Sequence, residues 1–274
     1  MRRQVKSGAV KRELLQGEST KLLQELHLLT REGNLNADSL RKLKQVNHLV
    51  QLLQPAVEDV LERFGDPVVV DCGAGKGYLG FIFYELFLAK AEKGRILAIE
   101  GREELVRAAR ERADRLGFSR MELVHSRLEE AMLPPRLHLV TALHACDTAT
   151  DDALFLAIRG NADHVAVVPC CQAEVAAQLK ERKAAEPPIS SLFSHPWHRR
   201  EFGSHLTNVL RALTLEAHGY SVTVTELTGW EHSLKNELIV GRKVRGSNPA
   251  ARKELDSLLA ATGVQPKLHR LLAG

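Results

Sequence analysis

From Asp66 onward, short β-rich runs alternate with helical stretches, and that alternation admits few folds. The pattern predicts strands near Val68–Cys72, Ile96–Glu100, Glu122–His125, Leu137–Leu143, Val165–Pro169, Ser221–Leu227 and Leu238–Arg242. It predicts helices over Tyr78–Lys90, Arg102–Leu116, Thr148–Arg159, Gln172–Lys183 and Ser204–His218. Parallel neighbours need long crossovers, and a helix in each crossover must bury an apolar stripe. The expected class is therefore α/β, with a mostly parallel seven-stranded sheet covered on both faces. Only a loop parts the last two strands, so the final strand is expected to be antiparallel, closing a hairpin.

The first 64 residues carry a different pattern. Leu14, Leu15, Leu22, Leu23, Leu26 and Leu29 make a broken helical stripe, and Leu40, Leu43, Val46, Val50 and Leu53 recur at helical spacing after an Asn36/Asp38 start signal. Pro55 is expected to interrupt this helix, with Val57 to Phe64 resuming it. The predicted organisation is a basic arm and helical extension (1–64), a sheet domain (65–246) and a C-terminal helix and tail (247–274). Residues 186–203, EPPISSLFSHPWHRREFG, lack periodicity and are expected to form an irregular insertion, a kind of segment often tied to function.

Charge and cysteine usage narrow the setting. The net charge is +4, but the first twelve residues hold five basic and no acidic side chains, as a solvated tail or a nucleic-acid arm would. Four cysteines, Cys72, Cys146, Cys170 and Cys171, form no disulfide framework, and the N-terminus lacks a signal-peptide pattern; the expected compartment is the reducing cytoplasm. The longest apolar run, Leu79 to Ala89, is broken by Glu85 and falls short of the roughly 20 residues that span a bilayer, so no membrane partner is expected.

The first strand runs into VVVDCGAGKGYLG and directly into a helix. Glycines at 73, 75 and 77 permit a tight turn and close approach of a ligand to the backbone. A dinucleotide fingerprint needs glycine where Tyr78 stands, which disfavours an NAD oxidoreductase, and a P-loop needs Ser or Thr where Gly77 follows Lys76. An acid, Asp71, precedes the loop, which suits a ligand bearing an ammonium group instead of a phosphate. Glu100 ends the second strand, where a carboxylate can accept ribose hydroxyls. S-adenosylmethionine has both groups.

DCGAGKGYLG followed by AIEG resembles motif I and the second-strand acid of class I S-adenosylmethionine-dependent methyltransferases, over roughly Val57 to Val244. The resemblance implies a Rossmann-like sheet, with Asp71, Gly73, Ala74, Gly75, Gly77, Tyr78 and Glu100 on the cofactor. Arg127 and Leu143 join this set, although Ser126 and Arg127 stand where many members carry an aspartate for the adenine amine.

After the fourth strand comes LHACDTATDDAL and after the fifth VVPCCQAE, at the strand ends that border the crevice of an open parallel sheet. The pair resembles a narrower methyltransferase set that includes eukaryotic tRNA ribose 2′-O-methyltransferases of the acceptor stem and uncharacterised bacterial relatives. His144 and Asp147 are candidates for proton removal, which a ribose hydroxyl needs more than an amine does. His144 could equally be a hydrogen-bonded structural residue, and Asp147 and Asp151 also suit a helix cap. Cys170 and Cys171 are either packed thiols or nucleophiles, as in enzymes that methylate pyrimidine C5. No metal is expected, since adjacent cysteines are not the usual zinc spacing. Trp197 with Arg199 and Arg200 suits stacking on a base beside phosphates, and Lys235 and Asn236 sit in the last hairpin; together they tilt the substrate toward RNA. Methyl transfer to a protein or small-molecule nitrogen, and a methyltransferase-like RNA-binding protein without catalysis, stand as alternatives.

Overall fold

The predicted strands are present as β1 (Val68–Cys72), β2 (Arg95–Glu100), β3 (Met121–His125), β4 (Leu139–Ala142), β5 (His164–Val167), β6 (Tyr220–Glu226) and β7 (Glu237–Lys243). They come from a computed structural model that describes residues 20–30, 32–34, 37–143, 145, 147–169, 172–181, 189–227 and 237–274. The strand order is β3-β2-β1-β4-β5-β7-β6. β1 to β5 pair in parallel, and β7 runs antiparallel to both β5 and β6. β1, β4 and β5 are buried at every residue, as strands covered on both faces must be, whereas β3 and β6 at the edges carry exposed positions.

The helices are α1 (Thr20–Glu25), α2 (Ala37–Arg63), α3 (Tyr78–Phe83), α4 (Ala89–Ala91), α5 (Glu103–Leu116), α6 (Thr148–Arg159), α7 (Glu174–Glu181), α8 (Pro196–Ala217), α9 (Pro249–Thr262) and α10 (Lys267–Ala273). Among the described residues, no helix is long and apolar enough to cross a membrane. The leucines of α1 and the apolar stripe of α2 share one core with Phe81, Ile82 and Phe83 of α3 and with Leu139 of β4. At the far end of α2, Asp59 meets His164 at 2.7 Å and Arg63 at 2.8 Å, and Arg63 reaches Asp163 at 2.9 Å. This clasp joins the helical extension to the start of β5.

Three elements differ from the sequence expectation. Pro55 lies inside an uninterrupted α2. Pro55 and Gln51 both face solvent, so water can satisfy the Gln51 carbonyl that proline leaves without a donor. The expected helix over Tyr78–Lys90 contains a π-helical turn at Tyr84–Leu88 between α3 and α4. Residues 189–203, part of the expected insertion, are largely helical: a 3₁₀ turn spans Ile189–Leu192, and α8 begins at Pro196 instead of Ser204. Proline fits the first helical position, and the polar run that follows it hid the period.

α8 packs on α7 through Gly203, where a Cβ would lie 2.8 Å from the Ala176 Cα and 2.9 Å from its backbone nitrogen. Gly203→Ala is therefore expected to destabilise the protein by about 1–3 kcal/mol, opposite in sign to the roughly 1 kcal/mol that alanine gains over glycine in an open helix. Urea unfolding of the two proteins measures the difference.

Candidate functional site

The strand order reverses between β1 and β4, and an open parallel sheet leaves a crevice at the carboxyl ends of such strands. The turn out of β1 fills one side of it. Gly73, Gly75 and Gly77 all have positive φ, at 62°, 59° and 74°. At Gly77 a side chain is doubly excluded, because a Cβ would also lie 2.9 Å from the Phe81 ring. The Gly75 N–H donates to Glu100 Oε2 at 2.8 Å, and the Ala74 N–H donates to the Ile99 carbonyl at 3.0 Å, so the end of β2 holds the turn.

Two carboxylates flank this turn in opposite environments. Asp71 is buried, and its Oδ1 accepts from the Thr141 hydroxyl at 3.1 Å. Burial pushes its carboxyl up to about 7, and the Glu100 charge adds to the rise against the pull of the Thr141 and Gly80 hydrogen bonds. Burial also acts to raise Glu100, but the Arg102 guanidinium and the backbone N–H groups of Gly75 and Arg102 outweigh it and hold Glu100 below the ordinary range. Arg102 Nε sits 2.9 Å from Glu100 Oε1, with its own side chain 63% exposed. Acid and conjugate base can thus coexist near neutral pH within one site.

A pocket of about 270 Å³ opens beside the turn, lined by Asp71, Gly73, Ala74, Gly75, Lys76, Tyr78, Leu79, Arg102 and Leu143. Six of the nine cofactor-side candidates line it. Gly77 and Glu100 support the lining from behind, the first as the start of α3 and the second through Gly75 and Arg102. Arg127 is elsewhere, exposed and paired with Glu129 at 2.6 Å. Sequence reasoning missed Lys76, Leu79 and Arg102, although Arg102 lies two residues from Glu100 and Lys76 is inside the glycine motif. It also missed a brace from the N-terminal extension. The Tyr78 hydroxyl donates to the Leu26 carbonyl at 3.0 Å, and Arg112 spans the Glu25 and Lys76 carbonyls at 3.1 Å each.

On the other side of the crevice, Asp147 precedes α6 without capping it. Its Oδ1 instead accepts from the Ala173 N–H at 3.1 Å, at the start of α7. Trp197 is 59% exposed on the first turn of α8, with the Arg200 guanidinium 4.1 Å over its ring and Arg199 beside it. His144, Cys146, Cys170, Cys171, Lys235 and Asn236 lie outside the described residues. Among the described residues, no group of His, Cys, Asp and Glu could hold a metal ion.

A family model described as "Methyltransferase domain" matches residues 41–178 of this chain. Glutathione S-transferase C-terminal domain-containing proteins are similar to it over 232 residues, at 26% identity in Bos taurus and 27% in Homo sapiens. In each case the match covers 77% of this chain and 35% of the relative, so the chain spans about a third of those proteins. Among solved structures, an rRNA methylase from Streptococcus thermophilus matches with a TM-score of 0.46 at 13% identity, over 72% of this chain and 96% of that one.

The raised Asp71 sets a pH dependence. An unfolded aspartate ionises near pH 3.9, whereas the folded one holds its proton to about 7. The stability that comes from the neutral form is thus full below about pH 4 and is lost as pH rises toward 7. Between pH 5 and 8 the wild type is expected to lose roughly 2–3 kcal/mol relative to Asp71→Asn. Urea unfolding at both pH values reads this directly, and a constant difference would contradict the assignment.

Proposed function

The chain belongs to the methyltransferase-domain family, with S-adenosylmethionine as the cofactor, and from that premise we propose that it methylates RNA. The residues present fit the cofactor. Around the missing Cβ of Gly75 the nearest atom is the Gly73 carbonyl oxygen at 3.9 Å, so a ligand can approach this backbone closely. Glu100 accepts three hydrogen bonds, and a carboxylate has about four acceptor sites, which leaves room for a ribose hydroxyl. The exposed Arg102 arm can swing aside for the second. Asp71 meets an ammonium group best when ionised, and a cation beside it favours that form.

When bound, S-adenosylmethionine supplies a methyl group on a sulfonium, ready for displacement. The protein's own task is then to hold an acceptor atom in line with that carbon and to take its proton. His144 is proposed to take the proton, with Cys170 and Cys171 as packing groups or, for a pyrimidine carbon, as the nucleophile. The motifs LHACDTATD and PCC resemble those of the subgroup that contains ribose 2′-O-methyltransferases, which supports a cytoplasmic tRNA or rRNA as the proposed substrate. In this scheme residues 65–246 do the chemistry. The extension (1–64) and the C-terminal segment (247–274) support it.

One observation carries the RNA reading: an exposed tryptophan stacked under an arginine on the opening turn of α8. Such a pair offers an aromatic face to a base and a cation to its phosphate. The next turns of the same helix bond to the segments that follow β4 and β5. Arg199, the basic first twelve residues, Lys235 and Asn236 are proposed as further contacts to the RNA.

Two measurements test the reading. Labelled methyl from S-adenosylmethionine is expected to enter total cellular RNA, to vanish with ribonuclease and to fall to background in Asp71→Ala. Label in protein or small molecules would replace the substrate and keep the cofactor, and RNA retention without any transfer would indicate a non-catalytic binder. Separately, Trp197→Ala is expected to weaken RNA binding by about 1–3 kcal/mol, the range for loss of one base stack. Filter binding at fixed salt measures it.

A further inference from the structure

Away from the glycine pocket, a buried polar network ties the segments at the carboxyl ends of β4 and β5, and the start of β7, to one helix. At its centre is Arg211 of α8, paired with Asp151 of α6 at 2.9 Å, both side chains 2% exposed. The same guanidinium donates through Nη2 to the Asp147 carbonyl at 2.8 Å and through Nη1 to Asn208 Oδ1 at 3.3 Å. Asn208 donates to Glu237, the first residue of β7, at 2.9 Å, and accepts from Gln172 at 3.3 Å. Asp147 closes the circuit, since its Oδ1 accepts from the Ala173 N–H.

A buried ion pair is seldom more stabilising than apolar residues of the same volume, so stability alone gives little reason for this one. Its geometry gives a better reason. A planar guanidinium can meet Asp151, Asn208 and the Asp147 carbonyl at once, which a lysine ammonium on a flexible stem cannot do with fixed directions. What it holds is also unusual. Asp147 sits at φ 48°, ψ −118°, a backbone conformation foreign to side-chain-bearing residues. Such a conformation persists only where the surroundings over-determine it, and here both the carbonyl and the carboxylate of Asp147 are held.

We infer that Arg211 is a positioning residue for methyl transfer, which acts by locking the Asp147 backbone so that the segments after β4 and β5 keep one relative placement. Asp147 is the strap between them: its carboxylate serves as the acceptor for the start of α7 and does not act as the base. The inference rests on the methyltransferase reading of the site, and it assigns the acceptor side a rigidity that the cofactor pocket does not require.

The test uses the full chain with Arg211→Lys, Asp147→Ala and Asp147→Asn. Three quantities are measured: amide hydrogen exchange over residues 172–181, S-adenosylmethionine affinity by calorimetry, and kcat and KM for RNA methylation. Arg211→Lys and Asp147→Ala are expected to speed exchange at the start of α7 by about tenfold or more while global stability still exceeds the local opening. Both are expected to lower kcat at least about tenfold with cofactor affinity within about threefold. Asp147→Asn keeps a side-chain carbonyl for the Ala173 N–H, so it is expected to restore protection and most of the turnover. Unchanged exchange in Asp147→Ala would overturn the inference. So would an Asp147→Asn protein that stays protected yet is as inactive as Asp147→Ala, because that pattern belongs to a base. Cofactor affinity that falls in step with turnover would also overturn it. If Arg211→Lys fails to fold, the two Asp147 variants decide the question. If the wild type binds cofactor but methylates no RNA, the RNA reading fails and the exchange pattern alone decides the inference.

Discussion

β1, β4 and β5 lie side by side with no exposed residue on either face, and the rest of the molecule follows from covering them. Helices must pack on both sides, the crossovers must be long, and the loops that face the crevice must all leave from the same ends of the strands. The reversal of strand order between β1 and β4 then opens a cleft without any residue being dedicated to making one. The N-terminal helices are part of the same cover: their leucines complete the core that α3 begins, and Tyr78 and Arg112 fasten them to the glycine turn.

Within that cleft the two sides are built differently. The side of the glycine turn is a backbone surface, with glycines that permit close approach and with two carboxylates whose environments pull their proton affinities apart. Asp71 is enclosed and raised, while Glu100 is braced by an arginine and two amides and lowered. The side that follows β4 and β5 is a side-chain scaffold, in which a guanidinium on α8 reaches residues far apart in the chain. A backbone turn offers N–H groups and close approach, whereas a guanidinium network fixes the mutual placement of the segments it joins. The physical means differ accordingly.

Much of this was legible residue by residue. The seven strands were found because their apolar runs are short and bounded, and the glycine turn because positive φ demands glycine at fixed spacing. The misses have physical causes. Pro55 is tolerated because its face of α2 is wet, and the opening of α8 is hidden because its first turns bury little and so show no period. Asp147 suits a helix cap by its position, yet its side chain does not cap α6. Its carboxylate in fact reaches the backbone at Ala173, which is 26 residues away in the chain.

The sequence by itself determined the alternation of strands and helices, the hairpin that ends the sheet, and the placing of an acid before the glycine turn and another at the end of the next strand. These are local properties, written in periods of two and 3.6 residues and in the conformations a glycine allows. Only the tertiary structure decided that Asp71 is enclosed enough to hold a proton near neutral pH, that Arg102 braces Glu100, and that Arg211 lies buried against Asp151. Burial and pairing depend on what distant segments bring to the same point. Arg211 meets its partner across 60 residues, and no local pattern records that contact.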